Sequence, residues 1–195
     1  LAAIRQKVLI IDLDPQGNAS TGLGIPKAKR AVNSYNVLIE DVTLARAIVP
    51  TEIPGLDIVP AGIDLTGAEL ELVAFERREY RLKGAIANGA AAYDYVFIDC
   101  PPALGLLTVN ALVAAQAVLV PLQCEFFALE GISHLVRTIE RIKKAFNPGL
   151  DIQGIVLTMF DRRNNLSDMV ANDVRGHFGD KVYKTVIPRK VRVSE

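Results

Sequence analysis

The chain has 195 residues, 22 Lys+Arg against 22 Asp+Glu, half of its residues hydrophobic and 23% charged; that length buries a core without staples, and that composition excludes a disordered chain. Balanced charge excludes a strongly basic nucleic-acid binder and an acidic tail as whole-chain readings, while leaving room for a local basic patch. Two Cys exclude a disulfide scaffold and a Cys-rich zinc module, and 6% aromatics with no Trp speak against a base-stacking surface.

The chain opens on Leu1, not Met, and no signal peptide is visible, because Arg5 and Lys7 interrupt its start. In chain order, the apolar run 8–11 predicts a first strand. Asn33 or Ser34 caps a short predicted helix through Glu40, and Thr43 another through Val49, stopped by Pro50. Residues 56–59 predict a strand, and Asp64 caps a long charged helix to about Ala87. A strand over 95–98 follows. From Cys100 to Cys124 there is no charged residue, a length that could cross a membrane. Pro101, Pro102, Gly105, Asn110, Gln116 and Pro121 interrupt it, so it reads as a buried helix over about 104–115 and a strand within 117–122. Residues 130–146 place Ile132, Leu135, Val136, Ile139, Ile142 and Phe146 on one stripe of a helix. A strand over 155–157, a helix over 166–178 ended by Gly179, and a weaker strand over 182–187 complete the chain. The strand runs are continuously apolar rather than alternating, the habit of strands buried on both faces of a parallel sheet. Strands alternating with helices predict an α/β doubly wound, mostly parallel sheet in one domain over 1–195.

In such sheets ligands bind beyond the carboxyl ends of the strands. The first strand ends Asp12-Leu13-Asp14-Pro15-Gln16-Gly17-Asn18, with two carboxylates on one face and a tight loop after them. That suits a cation or the polarisation of a water, and equally an ordinary strand-to-helix turn. The run Tyr95 to Ile98 closes on Asp99, the Walker B pattern, whose carboxylate serves the Mg²⁺ of a bound nucleotide in P-loop enzymes. Together these ends bring Asp12, Asp14 and Asp99 to one edge. His134 and His177 lack ligand spacing, and Cys100 and Cys124 read as reduced, partly buried thiols.

The stretch 12–24 (Asp-Leu-Asp-Pro-Gln-Gly-Asn-Ala-Ser-Thr-Gly-Leu-Gly) resembles the second signature of ParA/Soj-type partition ATPases, of the MinD/ParA superfamily. The resemblance continues in order through 99–112, 123–131, 157–161 and 186–195. It implies the deviant Walker A branch of the P-loop fold and an ATP- and Mg²⁺-dependent homodimer. That dimer binds DNA without sequence preference and is stimulated by a ParB-type partner, in a cytoplasmic, nucleoid-associated cycle without membrane. Carried over by residue, it implies Asp14 as the carboxylate that orients the attacking water and Asp99 as the Mg²⁺-site Asp, with Asp12 supporting that metal site. Residues 14–18 match switch I, with Gln16 and Asn18 at the nucleotide, and 99–105 match switch II. Met159, Pro188 and Arg189 fall where the family lines its adenine pocket. Arg163 and Arg192 match arginines that contact the DNA backbone, a use that suits a guanidinium fork on phosphate oxygens.

One departure is large. No run of the form K-G-G-x-G-K-T/S-T, the family's phosphate-cradling loop, occurs in the sequence. The expectation is a chain truncated at both ends and lacking the P-loop strand, unable alone to bind ATP tightly or hydrolyse it, with low stability from unpaired strand edges. A MinD-like, membrane-associated division-site ATPase and a catalytically silent protein-binding module are the alternatives.

Overall fold

A computed structural model describes residues 1–125, 128–161 and 163–189. The elements are β1 (Val8–Asp12), α1 (Asn18–Gly22), α2 (Ser34–Ile39), α3 (Leu44–Ala47), β2 (Val49–Pro50), β3 (Leu56–Val59), α4 (Leu65–Leu72), α5 (Arg81–Gly89), β4 (Tyr95–Asp99), α6 (Leu106–Ala114), β5 (Ala117–Gln123), α7 (Ala128–Ala145), β6 (Asp151–Phe160), α8 (Asn165–Phe178) and β7 (Val182–Pro188). Every predicted strand is present. The uncharged segment is indeed a helix and a strand, and among the described residues no helix is long and apolar enough to cross a membrane.

The strands form a four-stranded and a three-stranded sheet flanked by helices, the α/β class expected, and the chain divides into two compact units, Leu1–Ala115 and Gln116–Glu195. The first unit holds a sheet in the order β2-β3-β1-β4, with β1 parallel to both β3 and β4. Its core gathers Leu9, Ile11 and Leu13 from the first strand and its exit, Val59 from β3, Leu65, Ala68 and Leu72 from α4, Leu82 from α5, and Leu107 and Ala111 from α6. The second unit holds the parallel sheet β5-β6-β7, with Ile132 of α7 and Val170, Ala171 and Val174 of α8 packed among Val120, Ile155 and Leu157.

Three expectations are corrected. The single helix over 64–87 is broken: α4 stops at Leu72, Arg77 takes φ 52°, and a 3₁₀ turn over Arg78–Tyr80 leads into α5. Leu72 at the end of α4 and Leu82 in the first turn of α5 are both fully buried. Asn110 of α6, itself fully buried, satisfies the backbone freed there, donating to the Arg78 carbonyl at 3.0 Å and accepting from the Leu82 amide at 3.2 Å. The helix begun at Thr43 ends at Ala47, and Val49–Pro50 pairs antiparallel with β3, because the residue before a proline is pushed into extended backbone. Finally, β4 and β5 are not buried on both faces. Each is an edge of its own sheet, with Tyr95 46% and Phe97 43% exposed on β4 and Leu119 47% exposed on β5.

Unpaired edges carrying exposed apolar side chains template strand association. The 195-residue chain is therefore expected to self-associate at micromolar concentration. Light scattering across a dilution series reads this, and a monodisperse monomer throughout would count against it.

Candidate functional site

The first unit places Asp12, Asp14 and Asp99 at one sheet edge, as the sequence predicts. Asp12 and Asp99 are register partners at the ends of β1 and β4, and the Leu13 amide donates to the Asp99 carbonyl at 2.7 Å. Their environments differ. Asp12 is fully buried, and its carboxylate is spoken for on both sides. Oδ2 accepts from the Ser20 amide at 2.8 Å and the Ser20 hydroxyl at 2.6 Å, and Oδ1 accepts from the Asp14 amide at 3.1 Å. The same Ser20 oxygen accepts from the Ala61 amide at 3.0 Å, and Ser34 donates its hydroxyl to the Asp12 carbonyl at 2.6 Å. One buried carboxylate thus ties together the ends of β1 and β3 and the start of α1.

Asp14 is half-buried, and its Oδ1 accepts from the Gln16 amide at 2.9 Å. The Gly17 amide closes the turn on the Asp14 carbonyl at 2.8 Å. Gly17 stands at φ 63°, a conformation that glycine takes without a Cβ penalty. Gln16 and Asn18 are exposed beside it.

Burial raises the Asp99 pKa above the ordinary carboxylate range, and the negative charges of Asp12 and Asp14 raise it further. A carboxyl shifted this way favours the folded state while protonated, and that contribution is lost as pH climbs through its folded pKa. At neutral pH the edge therefore holds crowded negative charge, which a divalent cation would offset. Among the ion pairs of the described residues none involves these three groups. They do not form a metal cage by themselves: among the described residues no cluster of three or more His, Cys, Asp or Glu could hold an ion. Oxygen donors that are too few to enclose the ion suit Mg²⁺, which keeps several waters and takes the rest of its shell from phosphate. Burial and the Asp99 charge push the neighbouring Cys100 thiol up to about 11, so it stays protonated at neutral pH.

The loop after Asp99 leads into α6, whose first turn carries no capping side chain of its own. Glu69 of α4 serves instead, accepting from the Leu107 amide at 3.3 Å. A Cβ on Gly105 would stand 1.8 Å from that carboxylate oxygen, so glycine there gives Glu69 its approach. Ser20, Arg30 and Glu69 make contacts that the sequence alone does not announce; Glu69 is one of many charges in the helix predicted over 64–87. Ser20 lies inside the stretch 12–24, whose acids carry the sequence argument, and nothing in the sequence sets Arg30 apart from its neighbours Lys27 and Lys29.

The second unit gathers Pro188 and Arg189 with Phe160, Asp161, Arg163 and Val186 around a groove of about 450 Å³. Met159 adjoins it in sequence without lining it, and adopts φ 51° beside a register irregularity of β6. Arg163 forks onto Asp161 at 3.0 and 2.9 Å and holds that carboxyl at about 2. The pair's contribution is present above the usual carboxylate pKa and lost as pH falls through about 2. Arg192 lies outside the described residues. A larger groove of the first unit, about 730 Å³, runs between α5 and the segment after α2, and includes none of the three carboxylates.

Residues 1–152 match a family model described as an AAA domain. The chromosome partitioning protein ParA of Caulobacter vibrioides is 60% identical over all of this chain and 74% of its own length. The chain belongs to the ParA/Soj family of partition ATPases. The sporulation initiation inhibitor protein Soj of Bacillus subtilis is 51% identical over the whole chain and 77% of its own length. Among solved structures, a cobyrinic acid a,c-diamide synthase of Mycobacterium smegmatis, crystallised with an ATP analog and magnesium, superposes with a TM-score of 0.89. It is 42% identical over 97% of this chain and 78% of that one. Family membership accounts for the predicted α/β architecture, and for the motif at 12–24 lying on the turn that carries Asp14.

Proposed function

We propose that the chain carries out ATP-dependent DNA partition. In this reading an ATP-bound homodimer holds DNA without sequence preference, a ParB-type partner stimulates hydrolysis, and the cycle runs in the cytoplasm on the nucleoid. The observation that carries the reading is the acidic edge of β1 and β4, in a chain 60% identical to a chromosome partitioning protein. Asp14 orients the attacking water, its own position set by the Gln16 and Gly17 amides. Asp99 supplies the carboxylate for Mg²⁺, which when bound neutralises charge on the phosphates. Asp12 acts behind that site rather than as a ligand, since in-chain donors take both its oxygens. Gln16 and Asn18 flank the nucleotide, and Met159, Pro188 and Arg189 attend its base. Arg163 and Arg192 meet DNA phosphate, Arg163 by exchanging Asp161 for a phosphate oxygen. The 195 residues taken alone hold ATP weakly and do not turn it over, because no lysine-bearing glycine loop neutralises the triphosphate.

A chimera tests this reading: residues 1–195 replace the matching 74% of the Caulobacter ParA. With ATP and Mg²⁺ it is expected to retain duplex DNA of arbitrary sequence, to release it in ADP, and to lose it as salt rises. Binding to anionic vesicles but not DNA would support the MinD-like alternative. Nucleotide-independent behaviour throughout would support the silent module.

A further inference from the structure

Arg30 is half-buried, and all its hydrogen bonds to the described residues end on neutral oxygens. Nε and Nη2 converge on the Ile25 carbonyl at 3.1 and 2.7 Å. Nη2 also donates to the Thr21 hydroxyl oxygen at 2.9 Å, and Nη1 lies 3.5 Å from the Gly17 carbonyl. These acceptors bracket α1: Gly17 stands at its entry and Ile25 just beyond its exit. A five-residue helix does not hold itself in water, so its placement depends on what grips it. Asp12 grips it from the buried side through Ser20, and Arg30 grips it from the other. The room for the guanidinium comes from Gly17, where a Cβ would stand 2.7 Å from Nη1. Gly17 also donates its amide to the Asp14 carbonyl, so the residue that Arg30 touches closes the turn carrying Asp14.

We infer that Arg30 is a positioning residue for Asp14: its fork fixes the segment 14–25, and through it the place where the Asp14 carboxylate stands. The inference rests on the reading of Asp14 as the group that orients water. A planar fork is needed because two donors meet at one carbonyl while a third reaches Thr21; a lysine ammonium brings the charge without that geometry.

Hydrogen exchange on the 195-residue chain tests the grip itself. In Arg30→Ala the amides of Gly17, Thr21, Leu23, Gly24 and Ile25 are expected to exchange about tenfold faster, while those of β1, β3 and β4 keep their protection. Thr21→Val removes one acceptor of Arg30 and the hydroxyl's own bond to the Gly17 carbonyl at 2.9 Å, leaves the Ile25 grip in place, and gives a smaller change in the same amides. In the chimera, Arg30→Ala is expected to lower kcat about thirtyfold with KM for ATP within about twofold, the mark of a misplaced rather than missing group. Millimolar guanidinium restores part of that rate, and Arg30→Lys stays low. Unchanged exchange over 14–25 overturns the inference, as does a kcat loss that tracks a fall in melting temperature and ignores guanidinium. Should Asp14→Ala leave kcat intact, the hydrolysis reading fails instead, and the exchange result still decides whether Arg30 holds the segment.

Discussion

Asp14→Ala is expected to reduce ATP turnover by the chimera about 100- to 1,000-fold while ATP-dependent DNA retention persists or increases. The magnitude follows from removing one positioned group that acts on the attacking water in the transition state. The direction for DNA follows because nucleotide that is bound and not hydrolysed keeps the assembly in its DNA-holding form. Asp14 suits such a role. It is half-buried, so its charge is not fully screened, and its Oδ1 is fixed by the Gln16 amide, while Oδ2 accepts no hydrogen bond from the described residues. Asp14→Asn separates charge from shape, because the amide oxygen keeps the Gln16 contact and loses the negative charge. Single-turnover hydrolysis beside a DNA pull-down reads both variants. Full turnover in Asp14→Asn would show that the carboxylate charge is not used.

Asp12→Ala is expected to destabilise the first unit by about 3–5 kcal/mol. Three donors lose their acceptor at once, the Ser20 amide, the Ser20 hydroxyl and the Asp14 amide, in a place with no access to water. Each orphaned buried group costs about 1–3 kcal/mol, with some recovered by relaxation. Against a typical stability of about 5–15 kcal/mol that is a large fraction. Asp12→Asn loses less, about 2 kcal/mol, because one oxygen remains, although its new NH₂ must face a donor. Urea midpoints from far-UV circular dichroism read the difference. The two aspartates, two residues apart and alike in sequence, are thus expected to fail differently: Asp14 variants stay folded and stop turning over, whereas Asp12 variants unfold first. Equal stability of wild type and Asp12→Ala would contradict the buried network.

How much of this was legible in the sequence depends on what fixed each feature. The strands at 8–12 and 56–59 are legible because parallel strands inside a helix-covered sheet need continuous apolar runs, the strand at 95–99 is legible from its apolar run alone, and an acid that ends a parallel strand falls at the carboxyl edge. The convergence of Asp12, Asp14 and Asp99 followed from that alone. What stayed hidden depends on contacts between distant segments. The break near Arg77 is settled by Asn110, some thirty residues on, and no local propensity announces it. Tyr95 and Phe97 share the exposed face of β4 while Val96 and Ile98 pack on the core from the other, a difference that the uniformly apolar run 95–98 does not reveal. Arg30 and Glu69 look like any surface charges until the fold brings the Ile25 carbonyl to the one and the Leu107 amide to the other. Met159, Pro188 and Arg189 were placed by family resemblance alone, and two of them line a groove together.

The central claim is that the edge formed by β1 and β4 handles metal-bound nucleotide, and the location of the metal tests it most directly. The measurement is anomalous diffraction from crystals of the chimera grown with a non-hydrolysable ATP analogue and Mn²⁺ in place of Mg²⁺. The account predicts a manganese peak about 4–5 Å from the Asp99 carboxylate, one bridging water away, on the side facing Asp14. A manganese site remote from both Asp99 and Asp14, with nucleotide bound, would contradict it.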